Sequence, residues 1–257
     1  MFSKIIYINL DRRPDRNENV ISQLEKINYN SNLERFSAID AKKLNINLMP
    51  SNLFTKKAIE TANDPNMKVY TYMTKGAIGC TLSHKLVFEK ILYGEHDYVL
   101  ILEDDITFVD DFNDKLDNLL KKMPSYDMLF LGYHTKNDLK KYDRYDVPYE
   151  IWGLFGYIIN KKAAKRLLEV FPITLQIDSE LPRAFPDLKV YAVKKEEKLV
   201  LSDLSQEAYT YGTDIQTREH FETVPEINNF ASKHIIIILI IVCSFLLINK
   251  CKKNNLW

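Results

Sequence analysis

Cysteine, glycine and proline are all scarce in this chain, whose 257 residues include 3 Cys, 7 Gly and 9 Pro. Cys243 and Cys251 lie in or beside an apolar run near the C-terminus, so Cys80 stands alone in the rest of the chain. No disulfide can form within that larger part, which excludes a disulfide-stapled secreted scaffold. With 46% hydrophobic residues, the composition also excludes collagen-like and disordered chains.

The formal net charge is zero, because 35 basic residues balance 35 acidic ones. A generic nucleic-acid binder needs a basic excess for its phosphate contacts, so we expect no nucleic-acid partner. The N-terminus lacks an export signal as well. Its first apolar stretch is shorter than the hydrophobic region of a signal peptide and has no small-residue cleavage site after it, so we interpret it as a first strand.

One long hydrophobic run is present, over residues 235–248, and Ser244 is its only polar member. Extended to residues 230–249, with flanking lysines that reach the interface, the segment can just span a bilayer. A buried C-terminal helix or strand is the alternative. We therefore predict a folded body at 1–229, a transmembrane helix at 230–249 and a short basic tail at 250–257. Without an export signal, we expect a single-pass C-terminal membrane anchor with the body in the cytosol, although the basic tail favours the opposite orientation.

Apolar segments of two periodicities alternate along the body. Strand-like segments are predicted at 4–10, 35–40, 98–102, 126–131, 188–193 and 198–201, and helical ones at 14–27, 75–92, 111–122 and 161–170. Residues 41–73 are polar and poorly periodic and have no assignment. The alternation predicts an α/β fold, a sheet with helices on both faces.

Three consecutive acids, Glu103, Asp104 and Asp105, directly follow the clearest strand of the chain. A buried strand that ends in carboxylates places them at the edge of the sheet where open α/β folds bind ligands. Clustered carboxylates repel one another unless a cation neutralises them, and hard oxygen ligands suit Mn²⁺ or Mg²⁺. The triplet thus predicts a metal site that bridges to a diphosphate. A solvated turn with helix-capping acids is the alternative.

Two further motifs point to the same edge. The turn from Asn9 to Arg16 joins a strand to a helix and carries Arg12, Arg13 and Arg16, so backbone donors, a helix N-terminus and guanidinium groups come together as a phosphate site requires. A salt-bridged surface turn explains the same residues. The second motif, residues 74–84, has two glycines near a helix start and the polar pair Ser83 and His84 on an otherwise apolar helix. A lone His in such a place is usually a packing residue, and Cys80 is interpreted as part of the core.

Five motifs occur in a diagnostic order. They are Asn-Leu-x-Arg-Arg-x-x-Arg near the N-terminus, Phe-Ser-Ala-Ile-Asp ending at Asp40, Gly-x-Ile-Gly-Cys-x-x-Ser-His ending at His84, Ile-Leu-Glu-Asp-Asp ending at Asp105, and Trp-Gly-x-x-Gly-Tyr-Ile-Ile at 152–159. In this order they resemble glycosyltransferase family 25, which includes lipooligosaccharide and procollagen galactosyltransferases. The resemblance covers residues 3–215.

The resemblance implies a GT-A, Rossmann-like nucleotide-sugar fold and inverting transfer of galactose or glucose from a UDP-sugar to a hydroxyl of a glycan or glycoprotein acceptor. By the same resemblance Mn²⁺ or Mg²⁺ is held by Glu103, Asp104 and Asp105. The residues implied around the nucleotide are Asn9, Arg12, Arg13, Arg16, Asp40, Ser83, His84 and Asp214. Inversion needs a general base, for which Asp178 is the first candidate and Glu180 the second; surface acids in a loop are the alternative for both.

Ala77 departs from the family pattern, which has Pro-Gly-Glu where this chain has Lys75-Gly76-Ala77. A frequent carboxylate is therefore missing. This motivates the alternative of an inactive relative that binds a glycan or nucleotide at a membrane. A third alternative, another metal-dependent enzyme of nucleotides, is disfavoured by the Trp152-Gly153 motif and by the absence of a P-loop.

Overall fold

The computed structural model describes residues 2–29, 32–67, 72–135 and 151–202. All of them lie in the first of two compact units, residues 1–216 and 217–257. The described strands are β1 (Lys4–Asn9), β2 (Leu33–Ser37), β3 (Tyr98–Leu102), β4 (Ile106–Phe108), β5 (Met128–His134), β6 (Trp152–Asn160), β7 (Val190–Ala192) and β8 (Val200–Ser202). The described α-helices are α1 (Pro14–Lys26), α2 (Lys56–Asn63), α3 (Lys75–Tyr93), α4 (Phe112–Lys122), α5 (Lys161–Leu168) and α6 (Ile177–Glu180).

The central sheet has six strands in the order β2-β1-β3-β6-β5-β7, and β4 pairs with β8 in a separate antiparallel ribbon. β1 runs parallel to both β2 and β3, whereas β6 is antiparallel to β3 and β5. Successive residues of β1 and β3 are buried without alternation, which requires protein on both faces of the sheet. The prediction of an α/β fold with a central sheet is confirmed.

Most predicted elements lie within a few residues of the observed ones. Local chemistry explains the agreement at α3, where Thr74 is the N-cap and its Oγ1 accepts the backbone N–H of Ala77 at 3.0 Å. Strand β3 matches its predicted bounds because a continuous apolar run ends abruptly in charge.

Helices α2 and α6 and strands β4 and β6 were not predicted from the sequence. Strand β6 contains two glycines and lacks alternation, so its pattern does not indicate a strand. Packing explains Gly156 of β6 and also Gly132 of β5: a Cβ on Gly156 would lie 2.7 Å from Val200 Cβ, and one on Gly132 would lie 2.3 Å from the carbonyl oxygen of Val200. These two positions let β8 pack closely on the sheet, a requirement set by a segment more than 40 residues away.

Within the described residues, no helix combines the length and the apolar character needed to cross a membrane. The predicted span at 230–249, the tail at 250–257 and the end of the body at residue 229 lie outside the described part of the chain. They stay predictions, as does the single-pass topology.

Candidate functional site

The acidic triplet and the arginine turn meet at one edge of the sheet, because β1 and β3 are parallel neighbours and their carboxyl ends coincide. Asn9, fully buried at the end of β1, donates from Nδ2 to Asp104 Oδ2 at 2.8 Å and to the carbonyl oxygen of Arg13 at 3.1 Å. Arg16, in the first turn of α1, donates from Nη1 to Asp104 Oδ1 at 2.8 Å. The acidic triplet and the arginine turn therefore form one buried polar unit.

Asp104 holds this unit together. One of its carboxylate oxygens accepts from Asn9 and the other from Arg16, and only 6% of the residue is exposed. Burial raises the pKa of Asp104, while the Arg16 guanidinium opposes that rise. The resemblance implied a metal ligand here, but the geometry gives this carboxylate an anchoring contact on each oxygen.

Asp105 is in a different state from its neighbour. Its Oδ1 is buried and has no hydrogen-bond partner among the described residues, and its Oδ2 lies 4.0 Å from Arg16 Nη1. Burial and, next, the negative charge of Glu103 raise the pKa of Asp105 to about 7. A buried carboxylate oxygen without a donor is costly, and a bound cation would remove that cost.

Glu103 faces helix α3. Its Oε1 lies 3.1 Å from His84 Nε2 and accepts from Cys80 Sγ at 3.8 Å, while His84 Nδ1 lies 2.8 Å from the Tyr157 hydroxyl. Burial raises the pKa of Glu103, but the hydrogen bond and charge of His84 outweigh it and leave the pKa below its ordinary value. His84, which the resemblance places near the nucleotide, thus lies beside Glu103 of the acidic triplet.

Cys80 packs against the core as expected, yet its thiol also belongs to the site. Burial and, next, the charge of Glu103 raise the pKa of the Cys80 thiol well above its ordinary value. Sequence analysis missed this role. The signal that was available is the spacing of Cys80 and His84, which at i and i+4 share one face of a helix.

Ser83 and Asp40 fasten a loop at the rim of the site. Ser83 Oγ accepts the backbone N–H of Ile39 at 2.8 Å and donates to the carbonyl oxygen of Gly79 at 2.7 Å. Asp40 accepts from Arg12 Nε at 3.0 Å and from the backbone N–H of the residue two positions on. Ser83 is fully buried, so its contacts position the loop that carries Asp40.

Arg35 is a site residue that sequence analysis did not single out. It donates from Nε and Nη2 to Asn9 Oδ1, at 2.9 and 2.7 Å, and from Nη2 to Asp11 Oδ1 at 2.8 Å. It lies one residue before the Phe-Ser-Ala-Ile-Asp motif, but only the parallel pairing of β1 and β2 reveals its partner. Arg13, a predicted nucleotide residue, binds Asp15 at 2.7 Å on the surface.

The structure separates the two candidate bases. Asp178 accepts the backbone N–H of Gly153 at 3.2 Å, and burial, together with the nearby charge of Glu103, raises its pKa. Glu180 instead accepts two backbone N–H groups, from Thr174 at 2.7 Å and Leu175 at 2.9 Å. Asp178 therefore lies within the electrostatic reach of the acidic triplet, whereas Glu180 caps a turn. Asp214 lies outside the described residues.

His134 is the last residue of strand β5. Burial and, next, the charge of Lys198 lower the pKa of His134 to about 4, so this imidazole is neutral at physiological pH. Its ring lies 4.8 Å from that of Phe155.

A model of "Glycosyltransferase family 25 (LPS biosynthesis protein)" matches residues 2–148. Curated relatives include a glycosyltransferase 25 family member of Aedes aegypti, 30% identical over 71% of this chain and 31% of its own length. Human procollagen galactosyltransferase 2 is 27% identical over 70% of this chain and 30% of its own. The human inactive glycosyltransferase 25 family member 3 is 29% identical over 72% and 32%. The chain thus spans about a third of the length of these relatives.

Among solved structures, a complex of a Drosophila β-1,4-galactosyltransferase 7 variant with manganese, UDP-Gal and xylobiose aligns with 83% of this chain and 75% of its own. The identity is 12% and the TM-score 0.41. At that level of likeness, the properties of the site are inferred from the residues of this chain alone.

Proposed function

The chain belongs to glycosyltransferase family 25, and from that premise we propose that it transfers a hexose, galactose or glucose, from a UDP-sugar to a hydroxyl of a glycan or glycoprotein acceptor. One observation carries the proposal furthest. The carboxylates of Glu103 and Asp105 follow β3 beside the arginine turn after β1, and Asp105 Oδ1 is buried and has no hydrogen-bond partner in the part of the chain that the structure describes. The name of human procollagen galactosyltransferase 2 supports galactose as the sugar.

Two of the three predicted metal ligands fit a hard cation. Asp105 offers its unpartnered oxygen, and the Glu103 side chain is 22% exposed and so accessible from solvent. Asp104 fits less well because its oxygens bind Asn9 and Arg16. We propose that Glu103 and Asp105 hold Mn²⁺ or Mg²⁺, which when bound would neutralise negative charge on the departing diphosphate.

The arginine turn supplies the remaining positive charge. Arg16 is fixed by its ion pair with Asp104, so its guanidinium has a set position at the start of α1. Arg12 lies at the rim with 31% of its side chain exposed, paired with Asp40. A helix N-terminus flanked by guanidinium groups favours an anionic diphosphate, which supports this edge as the nucleotide site.

Asp178 is the residue we propose as general base. Its raised pKa brings the carboxylate closer to the proton affinity that proton abstraction from a sugar hydroxyl requires. It is held by the backbone N–H of Gly153, the second residue of β6. Ionisation of this group is needed for activity, so kcat should rise with pH through its raised pKa.

An inactive, nucleotide-binding or glycan-binding protein is the second candidate. Ala77 lies at the first turn of α3, buried to 2% exposure, where the family pattern has a carboxylate. The human relative named inactive supports the same alternative. In that case the site would bind UDP without turnover.

The test is UDP release by the purified full chain, supplied with Mn²⁺, a panel of UDP-sugars and generic hydroxyl acceptors. Asp178→Asn should lower kcat by about 10²- to 10⁴-fold and leave the KM for the donor nearly unchanged. Glu180→Gln is the matched control, and we expect it to retain activity because that carboxylate caps a turn. UDP binding without release by the wild-type chain across the panel would favour the inactive candidate.

A further inference from the structure

Three potential metal-binding side chains of different chemistry converge beneath the acidic triplet. The thiol of Cys80, one ring nitrogen of His84 and one carboxylate oxygen of Glu103 all lie within 4.8 Å of one another. Glu103 Oε1 is 3.8 Å from the sulfur and 3.1 Å from the imidazole nitrogen. Such spacings are close to those between ligands of one small cation, so binding needs only small side-chain shifts. We call these three residues the mixed-ligand cluster.

The residues of the mixed-ligand cluster are positioned by two rigid elements, helix α3 and strand β3. Cys80 and His84 lie one turn apart in the middle of α3, and Glu103 follows the last residue of β3. The backbone N–H of Glu103 donates to the carbonyl oxygen of Phe155 at 3.1 Å, which ties this residue to β6. Ligands on rigid elements are held in place before a metal arrives.

The imidazole has the outer contact that metal-binding histidines usually have. His84 Nδ1 lies 2.8 Å from the Tyr157 hydroxyl, and both residues are buried, with 1% and 0% exposure. That contact fixes the ring and leaves Nε2 directed at Glu103. Outer partners of this kind orient the ligand and raise metal affinity.

Negative charge surrounds the mixed-ligand cluster. The carboxylates of Glu103, Asp178 and Asp105 lie near the Cys80 thiol, and Glu103 Oε1 is 3.8 Å from its sulfur. Arg16 Nη1 lies 4.0 Å from Asp105 Oδ2, and its guanidinium is paired with Asp104 at 2.8 Å. A dication would reverse the local electrostatics, because it stabilises a thiolate and compensates the carboxylates together.

We propose that Cys80, His84 and Glu103 bind a divalent transition metal of intermediate softness, Zn²⁺ or Co²⁺, in preference to Mn²⁺ or Mg²⁺. A thiolate and an imidazole select such metals, whereas carboxylates alone suit the harder ones. Three protein ligands leave one position of a tetrahedron open, and the partly exposed side of Glu103 gives access from solvent. The site shares Glu103 with the proposed hard-cation site but does not depend on glycosyl transfer.

Co²⁺ titration of the full chain tests the site directly, followed by absorption and without any sugar substrate. The reference protein carries Cys243→Ser and Cys251→Ser, so that Cys80 is its one thiol. We expect a thiolate-to-cobalt charge-transfer band and tetrahedral d–d bands at one equivalent, both removed by Zn²⁺ but not by an equal concentration of Mn²⁺. Cys80→Ser should abolish the charge-transfer band and weaken Zn²⁺ binding by at least about 100-fold, more than loss of an outer partner costs.

Two further variants keep the test decisive if Cys80→Ser does not fold. Tyr157→Phe removes only the outer hydroxyl and should weaken Zn²⁺ binding by about 10-fold with the cobalt spectrum retained. His96→Gln changes a histidine whose Nδ1 contacts Ser3 far from the cluster, and we expect no change. Cobalt binding without a thiolate band, or Zn²⁺ affinity that survives Cys80→Ser in a folded protein, would overturn the proposal.

Discussion

Asp127 and Asp105 are two acids of the same fold in opposite states. Asp127 accepts from Asn160 Nδ2 at 3.0 Å, Lys162 Nζ at 2.7 Å and the backbone N–H of Lys189 at 2.9 Å. Burial raises its pKa, but these donors outweigh burial and leave it below the ordinary value. Asp105 has one oxygen without a partner in the described residues and a pKa raised to about 7.

The contacts of Asp127 stabilise the folded protein, whereas the burial of Asp105 lowers its stability. Asp127 ties β5 to the start of α5 and to the residue before β7, so its contacts stabilise the protein. Asp105 Oδ1 has no such contact among the described residues, and burial of an ionised group without donors lowers stability. A native protein that retains such a group at a ligand-binding edge of its sheet is consistent with selection for binding.

Asp105→Asn should give the largest effect. If Asp105 is a metal ligand, activity falls by roughly 10³-fold, equivalent to about 4 kcal/mol of transition-state stabilisation. Stability should change in the opposite direction. The raised pKa means that the folded protein loses stability as pH rises from the ordinary value towards about 7.

In the absence of metal, Asp105→Asn should therefore raise Tm at pH 8 and change it little at pH 4. Thermal unfolding in a chelator at both pH values checks this. A variant that is less stable than wild type at pH 8 would mean that Asp105 serves the fold, as Asp127 does.

Arg16 is the basic residue that compensates the triplet, and its removal should be the next largest effect. Arg16→Met leaves Asp104 buried without its ion-pair partner, for an expected loss of about 3–5 kcal/mol in the free energy of unfolding. The double variant Arg16→Met with Asp104→Leu should recover much of that loss, because both charges are gone, yet remain inactive. Urea unfolding of the two variants measures the recovery. Equal stability of the single and double variants would show that the ion pair does not hold the turn.

Asp127→Ala should have the smallest of the three effects and only on stability. Loss of three hydrogen bonds from a nearly buried carboxylate, one of them to an exposed Lys162, should cost about 2–3 kcal/mol. Because its folded pKa is lowered, the stability that Asp127 adds is fully present above its ordinary pKa and is lost as pH falls through the folded value.

The variant's deficit should accordingly shrink in acid, as urea titrations at pH 7 and pH 3 would reveal. Activity per folded molecule should stay at the wild-type level. A loss of turnover in the folded variant would remove the distinction between the two acids.

Sequence patterns predicted which edge of the sheet carries the site, but not which role each carboxylate has there. The strand that ends in Glu103, Asp104 and Asp105 was predictable, because a continuous apolar run followed by charge is a local signal. Which carboxylate binds Arg16 was not predictable, since that contact joins residues 88 positions apart. Arg35 was missed for the same reason, and Glu180 entered as a candidate base because its turn-capping contacts are invisible in the sequence.

By itself the sequence determined the strands and helices with local signals, the carboxylate edge and the family resemblance, because periodicity, caps and motif order are properties of short segments. Only the tertiary structure decided that Asp104 anchors the arginine turn, that Asp105 Oδ1 has no donor among the described residues, and that Cys80 and His84 meet Glu103. Those outcomes depend on strand register and on the packing of α3 against the sheet, where long-range contacts bring side chains together. Burial then decides which of three chemically similar acids is neutralised and which is not.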